Sequence, residues 1–107
     1  MKQHRYRITV EHLALPDGSP PPGARSLSFD VANHDDLLAI VERALGRGDL
    51  PAADAVPFAI GLKLFSEVML QHRGLPLFEA FGGPFKAFMQ RLKQRPEAAP
   101  GPPQEAP

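Results

Sequence analysis

The stretch that decides the fold is residues 57–73, which read PFAIGLKLFSEVMLQHR. On a helix that advances about 100° per residue, most of its large apolar side chains fall within an arc of roughly 160°. These are Phe58, Leu62, Leu64, Phe65, Val68 and Met69. The polar side chains on the opposite side are Lys63, Ser66 and Glu67. The pattern therefore predicts a central helix, over about residues 55–73, that buries one broad apolar face.

Gly61 lies near the middle of this apolar arc. A glycine inside a helix costs about 1 kcal/mol relative to alanine. The common reason to keep one is the close approach of another backbone, which a Cβ atom would obstruct. We therefore expect another backbone to pass close to the central helix at Gly61.

Composition narrows the classes of protein to which this chain can belong. Its 107 residues suit one domain, and the absence of cysteine excludes a disulfide scaffold and thiolate metal sites. A formal net charge of zero disfavours a dedicated nucleic-acid binder. No apolar run approaches the roughly 20 residues of a membrane span, and the first residues do not resemble a signal peptide. We expect a cytoplasmic protein that binds neither nucleic acid nor membrane.

Two segments alternate between apolar and polar residues, as half-buried strands do. The first covers about residues 4–13, and the second covers about residues 26–31. The proline- and glycine-rich residues 16–23 between them read as a loop. The simplest arrangement is an antiparallel β-hairpin with one apolar face and one polar, charged face.

Three to four helices are predicted after the hairpin, over about residues 34–45, 55–73, 76–81 and 84–95. Asn33 is the expected cap of the first helix, with Asp35 and Asp36 in its first turn. Asp54 is the expected cap of the central helix, with Pro57 in its first turn. Strands followed by helices indicate an α+β fold in which the helices cover one face of the hairpin.

The predicted α+β domain comprises residues 1–95. Residues 96–107 contain five prolines and no large apolar side chain, so we expect a disordered or polyproline-like tail. A solvated terminus is the simplest interpretation of this segment. A ligand of the proline-motif type is the alternative.

No catalytic or metal-binding motif stands out. The histidines, at positions 4, 12, 34 and 72, form no pair with metal-ligand spacing, and Ser66 beside Glu67 lacks a partner histidine. We therefore expect no metal, no cofactor and no assigned catalytic residue. The polar residues that could line a cleft, where the hairpin meets the first and central helices, are Tyr6, His34, Asp36, Lys63 and Glu67. Lys63 and Glu67 fit either a buried ion pair with shifted pKa values or an ordinary surface stripe.

Three blocks of the chain resemble a family of small bacterial proteins catalogued as domain of unknown function 3861. They are HRYRITVE at residues 4–11, FDVANHDDL at residues 29–37, and GLKLFSEVML at residues 61–70. The resemblance extends from about residue 2 to residue 95. It implies a bacterial origin and a cytoplasmic setting, and it brings no activity, cofactor or partner with it.

Self-association is the functional prediction. Ile60 and Leu70 lie outside the apolar arc of the central helix, and a two-stranded hairpin leaves an unpaired edge on each strand. Acidic residues predominate over positions 30–54 and basic residues over positions 55–95, which favours two copies facing each other. We favour a non-enzymatic interaction module that forms a homodimer, and a different protein partner stays open. The alternative is a small-ligand binder or weak enzyme with a cleft near His34, Lys63 and Glu67.

Overall fold

The computed structural model describes residues 2–23 and 25–94, which form two strands followed by four helices. The elements are β1 (His4–Glu11), β2 (Ser26–Asn33), α1 (Leu37–Arg47), α2 (Ala52–Gln71), α3 (Pro76–Glu79) and α4 (Gly82–Lys93). This order confirms the predicted α+β fold. The predicted tail, residues 96–107, lies outside the described residues.

The chain divides after Asp36 into two units, a hairpin unit and a helical unit. In the hairpin unit, β1 pairs antiparallel with β2 in a register that runs from His4 opposite Asn33 to Glu11 opposite Ser26. One face carries the cross-strand pairs Tyr6–Val31, Ile8–Phe29 and Val10–Leu27, and the other carries Arg7–Asp30 and Thr9–Ser28. The predicted apolar and polar faces are therefore present. That the two units form one domain stays a prediction.

The segment after β2 corrects the predicted start of the first helix. Asn33 is the last residue of β2, and its side-chain Oδ1 accepts a hydrogen bond from the Asp35 N–H at 2.9 Å. This contact is an Asx turn, which offers the backbone an alternative to helix at this point. As a result α1 begins at Leu37, and Asp35 precedes its first turn. Asn33 therefore caps a turn, and the helix-cap prediction for it is wrong.

Small side chains form the contact between α1 and α2. Ala44 on α1 and Ala55 and Ala59 on α2 are buried together, and Ile40 and Val41 pack against them. We call these five residues the alanine seam. Because alanine brings little bulk, the two helices can approach each other closely, and packing at such a contact depends on shape more than on buried volume.

The buried face of α2 differs from the predicted one. Ser66, which we placed on the solvent side, is 7% exposed. It shares a face with Ala55 because eleven residues make about three helical turns. Its hydroxyl donates to the Lys63 carbonyl at 3.4 Å, which satisfies a polar group at a buried position. Phe65, by contrast, is exposed. The most buried side of this helix is therefore formed by small residues together with Met69, which belongs to the predicted arc, and not by the centre of that arc.

The structure also contradicts the predicted backbone crossing at Gly61. This residue is exposed, and a Cβ atom built on it would meet nothing within 4 Å. Within the described part of the chain, no backbone passes close enough to require a glycine there. The expectation of a crossing is therefore wrong for the single chain.

The ends of α2 and α4 also differ from the prediction. Helix α2 begins three residues earlier than expected, so Asp54 lies in its first turn instead of capping it, and Pro57 lies inside the helix. The carboxylate of Asp54 still suits the positive end of the helix dipole. Helix α4 begins at Gly82, so Pro84 sits in the first turn, where the missing N–H would have had no intrahelical partner.

Candidate functional site

Two matching stripes of apolar residues line a groove in the helical unit. Helix α2 contributes Phe58, Leu62 and Phe65, spaced i, i+4 and i+7, which places them on one helix face. Phe81, directly before α4, and Phe85 and Phe88 within it repeat the same spacing. We call these six residues the phenylalanine groove. They enclose an open depression of about 280 Å³.

Ring contacts hold the groove together. The centroid distances are 6.3 Å for Phe58–Phe88, 6.1 Å for Phe65–Phe85 and 6.0 Å for Phe65–Phe81, and each pair is close to edge-to-face. Edge-to-face is the arrangement that aromatic quadrupoles favour. Phe58, near the start of α2, contacts Phe88, whereas Phe65, further along α2, contacts Phe81 at the start of α4. The two helices therefore run in opposite directions. Of the six residues only Phe85 is buried, and Phe65, Phe81 and Phe88 each keep more than 40% of their surface exposed.

The chemistry available in the groove is apolar. The lining side chains have no titratable or metal-ligating atom, so they can bind apolar groups and can neither transfer a proton nor coordinate an ion. An exposed apolar surface of this kind is typical of an interaction site. The groove is therefore a candidate docking surface.

Arg47, at the end of α1, fixes the end of α4 close to this groove. Its Nη1 donates to the carbonyl oxygens of Leu92 at 2.6 Å and of Gln94 at 3.4 Å. Its Nε and Nη2 donate to the two carboxylate oxygens of Asp49 at 2.9 and 2.8 Å. A cation suits the negative end of a helix, and the contacts satisfy carbonyls that lack intrahelical partners. The hydrogen bond from Arg47 holds the pKa of Asp49 below its ordinary value.

A second, polar depression of about 280 Å³ lies on the hairpin and is lined by Arg5, Tyr6, Arg7 and Asp30. Arg7 donates to Asp30 through Nε at 2.8 Å and through Nη2 at 3.3 Å, and Arg5 Nη2 lies 3.9 Å from the same carboxylate. The hydrogen bond from Arg7 lowers the pKa of Asp30, and the charge of both arginines acts in the same direction. The depression thus contains a neutralised carboxylate and one arginine in excess.

Three of the five predicted ligand-binding residues belong to the hairpin unit, and the structure brings Tyr6 to the turn that contains the other two. The Tyr6 hydroxyl donates to the backbone carbonyl of Asp35 at 3.1 Å, which holds Tyr6 beside the turn that contains His34 and Asp36. The His34 imidazole Nε2 lies 3.5 Å from the carboxylate of Asp35. Asp36 directly precedes α1.

The other two predicted residues, Lys63 and Glu67, lie one turn apart on α2 in the helical unit. Both are half-buried, and Glu67 accepts a hydrogen bond from the side chain of Gln71 at 2.9 Å. Neither residue lines the phenylalanine groove. A shared cleft for all five residues stays a prediction.

Two further findings bear on what the chain can do. Over residues 2–23 and 25–94, no group of three or more His, Asp or Glu side chains is placed to hold a metal ion. Within the same ranges, no helix combines the length and apolar character that crossing a membrane requires.

Comparison with known proteins places the chain in a family. A family model described as a domain of unknown function with a solved structure, DUF3861, matches residues 4–94. The chain belongs to the DUF3861 family. The resemblance seen in the sequence is thereby confirmed.

The DUF3861 fold has a solved example that is similar to this chain. A crystal structure at 2.20 Å resolution of a protein of unknown function from Pectobacterium atrosepticum is 42% identical, with a TM-score of 0.74. The alignment covers 86% of this chain and 98% of the other. No curated protein matches this DUF3861 member.

Sequence reasoning missed the phenylalanine groove of this DUF3861 chain. The signal was present, because residues 58, 62 and 65 share a spacing with residues 81, 85 and 88. Each stripe alone reads as an ordinary core face. Only the pairing of α2 with α4 shows that the two stripes leave an open depression between them.

Proposed function

We propose that this chain is a non-enzymatic interaction module that self-associates as a homodimer. The observation that carries the proposal is the apolar face of the hairpin. Val10 and Leu27 form a cross-strand pair on it, and they keep 56% and 63% of their surface exposed. Apolar side chains opposite each other on a sheet normally stabilise it by being covered. Association with a second copy of the chain would provide the cover that they lack.

The edges of the hairpin support the same conclusion. The sheet has two strands in the described part of the chain, so each strand has one neighbour and one outer edge. A two-stranded sheet is marginally stable by itself, and three or more strands with an apolar face are stable. Two hairpins joined edge to edge would make a four-stranded sheet. A two-fold arrangement of this kind is the commonest oligomer symmetry.

Helix α2 adds a second exposed apolar surface. Outside the phenylalanine groove, Val68 and Leu70 are both exposed, and the space above Gly61 is open. A helix that is apolar around most of its circumference is characteristic of a buried position. Association of two chains would provide that burial.

A non-enzymatic role suits the chemistry of these surfaces, since burial of apolar side chains gives affinity without a reacting group.

We also propose a cytoplasmic location. Support comes from the cysteine-free sequence, which is typical of proteins that do not depend on an oxidising compartment.

The test is the mass of the chain in solution, measured by light scattering coupled to gel filtration at micromolar concentration. The chain has a mass of 11.7 kDa, and we expect twice that value. Leu27→Lys should shift the mass towards the monomer, because it puts a charge on the apolar face of the hairpin. Ser28→Lys is the matched control, on the other face of the same strand, and should leave the dimer intact. A wild-type mass of 11.7 kDa would contradict the proposal.

The second candidate function is a small-ligand binder or weak enzyme near His34, Lys63 and Glu67. The observation that favours it is the hydrogen bond from Tyr6 to Asp35, which orders the turn that carries His34. A thermal-shift screen of metabolites against the wild type and His34→Ala tests this candidate. A metabolite that stabilises the wild type alone would favour ligand binding through His34.

A further inference from the structure

We propose that the proline-rich segment 95–107 of this chain docks in the phenylalanine groove of the same chain. The inference is independent of the proposed dimer. The groove offers three phenylalanines, Phe65, Phe81 and Phe88, that no described residue covers fully. Residues 95–107 follow Gln94, the C-cap residue of α4, and α4 forms one wall of that groove.

Where the chain leaves α4, its backbone already has the polyproline II conformation that docking of a proline-rich segment requires. Gln94 has φ −76° and ψ 144°, which are the angles of the polyproline II helix. The Leu92 and Gln94 carbonyls are hydrogen-bonded to Arg47, so this exit point is fixed with respect to α4. The segment therefore starts from a defined position in the conformation that its prolines favour.

The segment is long enough to reach the groove. Along the axis of α4, Phe88 lies about 9 Å from Gln94, at 1.5 Å per residue. A polyproline II chain advances about 3.1 Å per residue, so residues 95–99 can reverse direction and span that distance. The run Pro100-Gly101-Pro102-Pro103 is then within reach of Phe88 and Phe85.

The chemistry of the groove matches such an occupant. Proline-rich segments bind grooves lined by aromatic side chains, because their conformation is preformed and loses little entropy on binding. The phenylalanine rings offer only apolar faces, against which proline rings can pack. The groove is open, so the carbonyl groups of the segment can stay in contact with water.

Charge also favours this pairing. Helix α4 carries Lys86, Arg91 and Lys93 and no acidic residue. The segment carries Glu97 and Glu105 against Arg95. Opposite net charges on the two partners favour association and are screened by added salt.

The experiment uses the full chain, which has no cysteine of its own. A nitroxide label is attached to Gln104→Cys, and paramagnetic broadening of the amide signals is measured by NMR. We expect signals over residues 81–88 to lose intensity several-fold more than those over residues 39–44 of α1. High salt should reduce this difference. Equal broadening of both regions would overturn the proposal.

Variants of the segment provide controls that leave the helices untouched. Pro102→Ser with Pro103→Ser should abolish most of the selective broadening, whereas Pro107→Ser, beyond the expected contact, should not. Unchanged broadening in the double variant would contradict docking through these prolines. Finally, the label and the isotope are placed on different chains and mixed. Selective broadening in that mixture would assign the groove to a second copy and overturn docking within one chain.

Discussion

Replacing Gly61 with alanine should stabilise the monomeric chain. Gly61 is exposed in the interior of α2, and an added Cβ atom would meet nothing within 4 Å. The substitution therefore changes helix propensity without a steric cost, and this gain is about 1 kcal/mol. For a domain of this size, such a gain raises the Tm by about 4 °C or more. Urea unfolding followed by circular dichroism, at protein concentrations low enough to keep the chain monomeric, measures it directly.

Two other glycines supply controls for the Gly61 experiment. Gly46 lies in α1 with equally open space, so Gly46→Ala should also stabilise the chain. Gly48 has φ +86°, a left-handed conformation that strains any residue with a side chain, so Gly48→Ala should destabilise it. A loss of stability for Gly61→Ala with a gain for Gly46→Ala would refute the reasoning. It would show that a backbone does approach Gly61 within the chain.

Two further predictions concern charged groups. Arg47→Met keeps most of the apolar stem but removes the donor to Leu92, so it should lower the free energy of unfolding by about 2 kcal/mol in urea titrations; Asp49→Asn should cost clearly less, and equal losses would show that the Leu92 contact contributes nothing. Arg7 holds the pKa of Asp30 below 3.8, so this ion pair stabilises the hairpin fully above pH 3.8 and progressively less as the pH falls through the lower, folded-state pKa. NMR of the hairpin during acid titration should show this loss in the wild type, and its persistence in Asp30→Asn would contradict the assignment.

The order of elements was predictable from the sequence because it depends on local periodicity. Alternation over residues 4–11 and the i, i+3, i+4 spacing around Phe85 are each strong within one element. The start of α1 was not predictable in the same way. Asn33 can cap a helix or an Asx turn with the same side-chain oxygen, and the sequence does not distinguish the two uses.

Which face of α2 is buried depended on its partner helix. Ranking side chains by bulk predicts that the arc around Phe65 is buried, whereas the contact with α1 buries the side that carries Ala55 and Ala59. The same limit applies to the phenylalanine groove and to the Arg47–Leu92 contact, which join residues far apart in the chain. Contacts of this kind arise from tertiary packing, and no local pattern in the sequence encodes them.

The alanine seam determines whether smaller or larger side chains are tolerated at the contact between α1 and α2. A contact built from Ala44, Ala55 and Ala59 has almost no side-chain volume to lose, so shrinking mutations create little cavity there. Enlargement is the harmful direction, because each added methylene must push two helices apart. Over evolutionary time we therefore expect the three alanine positions of the seam to tolerate only the smallest side chains. Diversification of the helical unit is directed to its outer surfaces, where new binding properties can arise without disturbing the contact between α1 and α2.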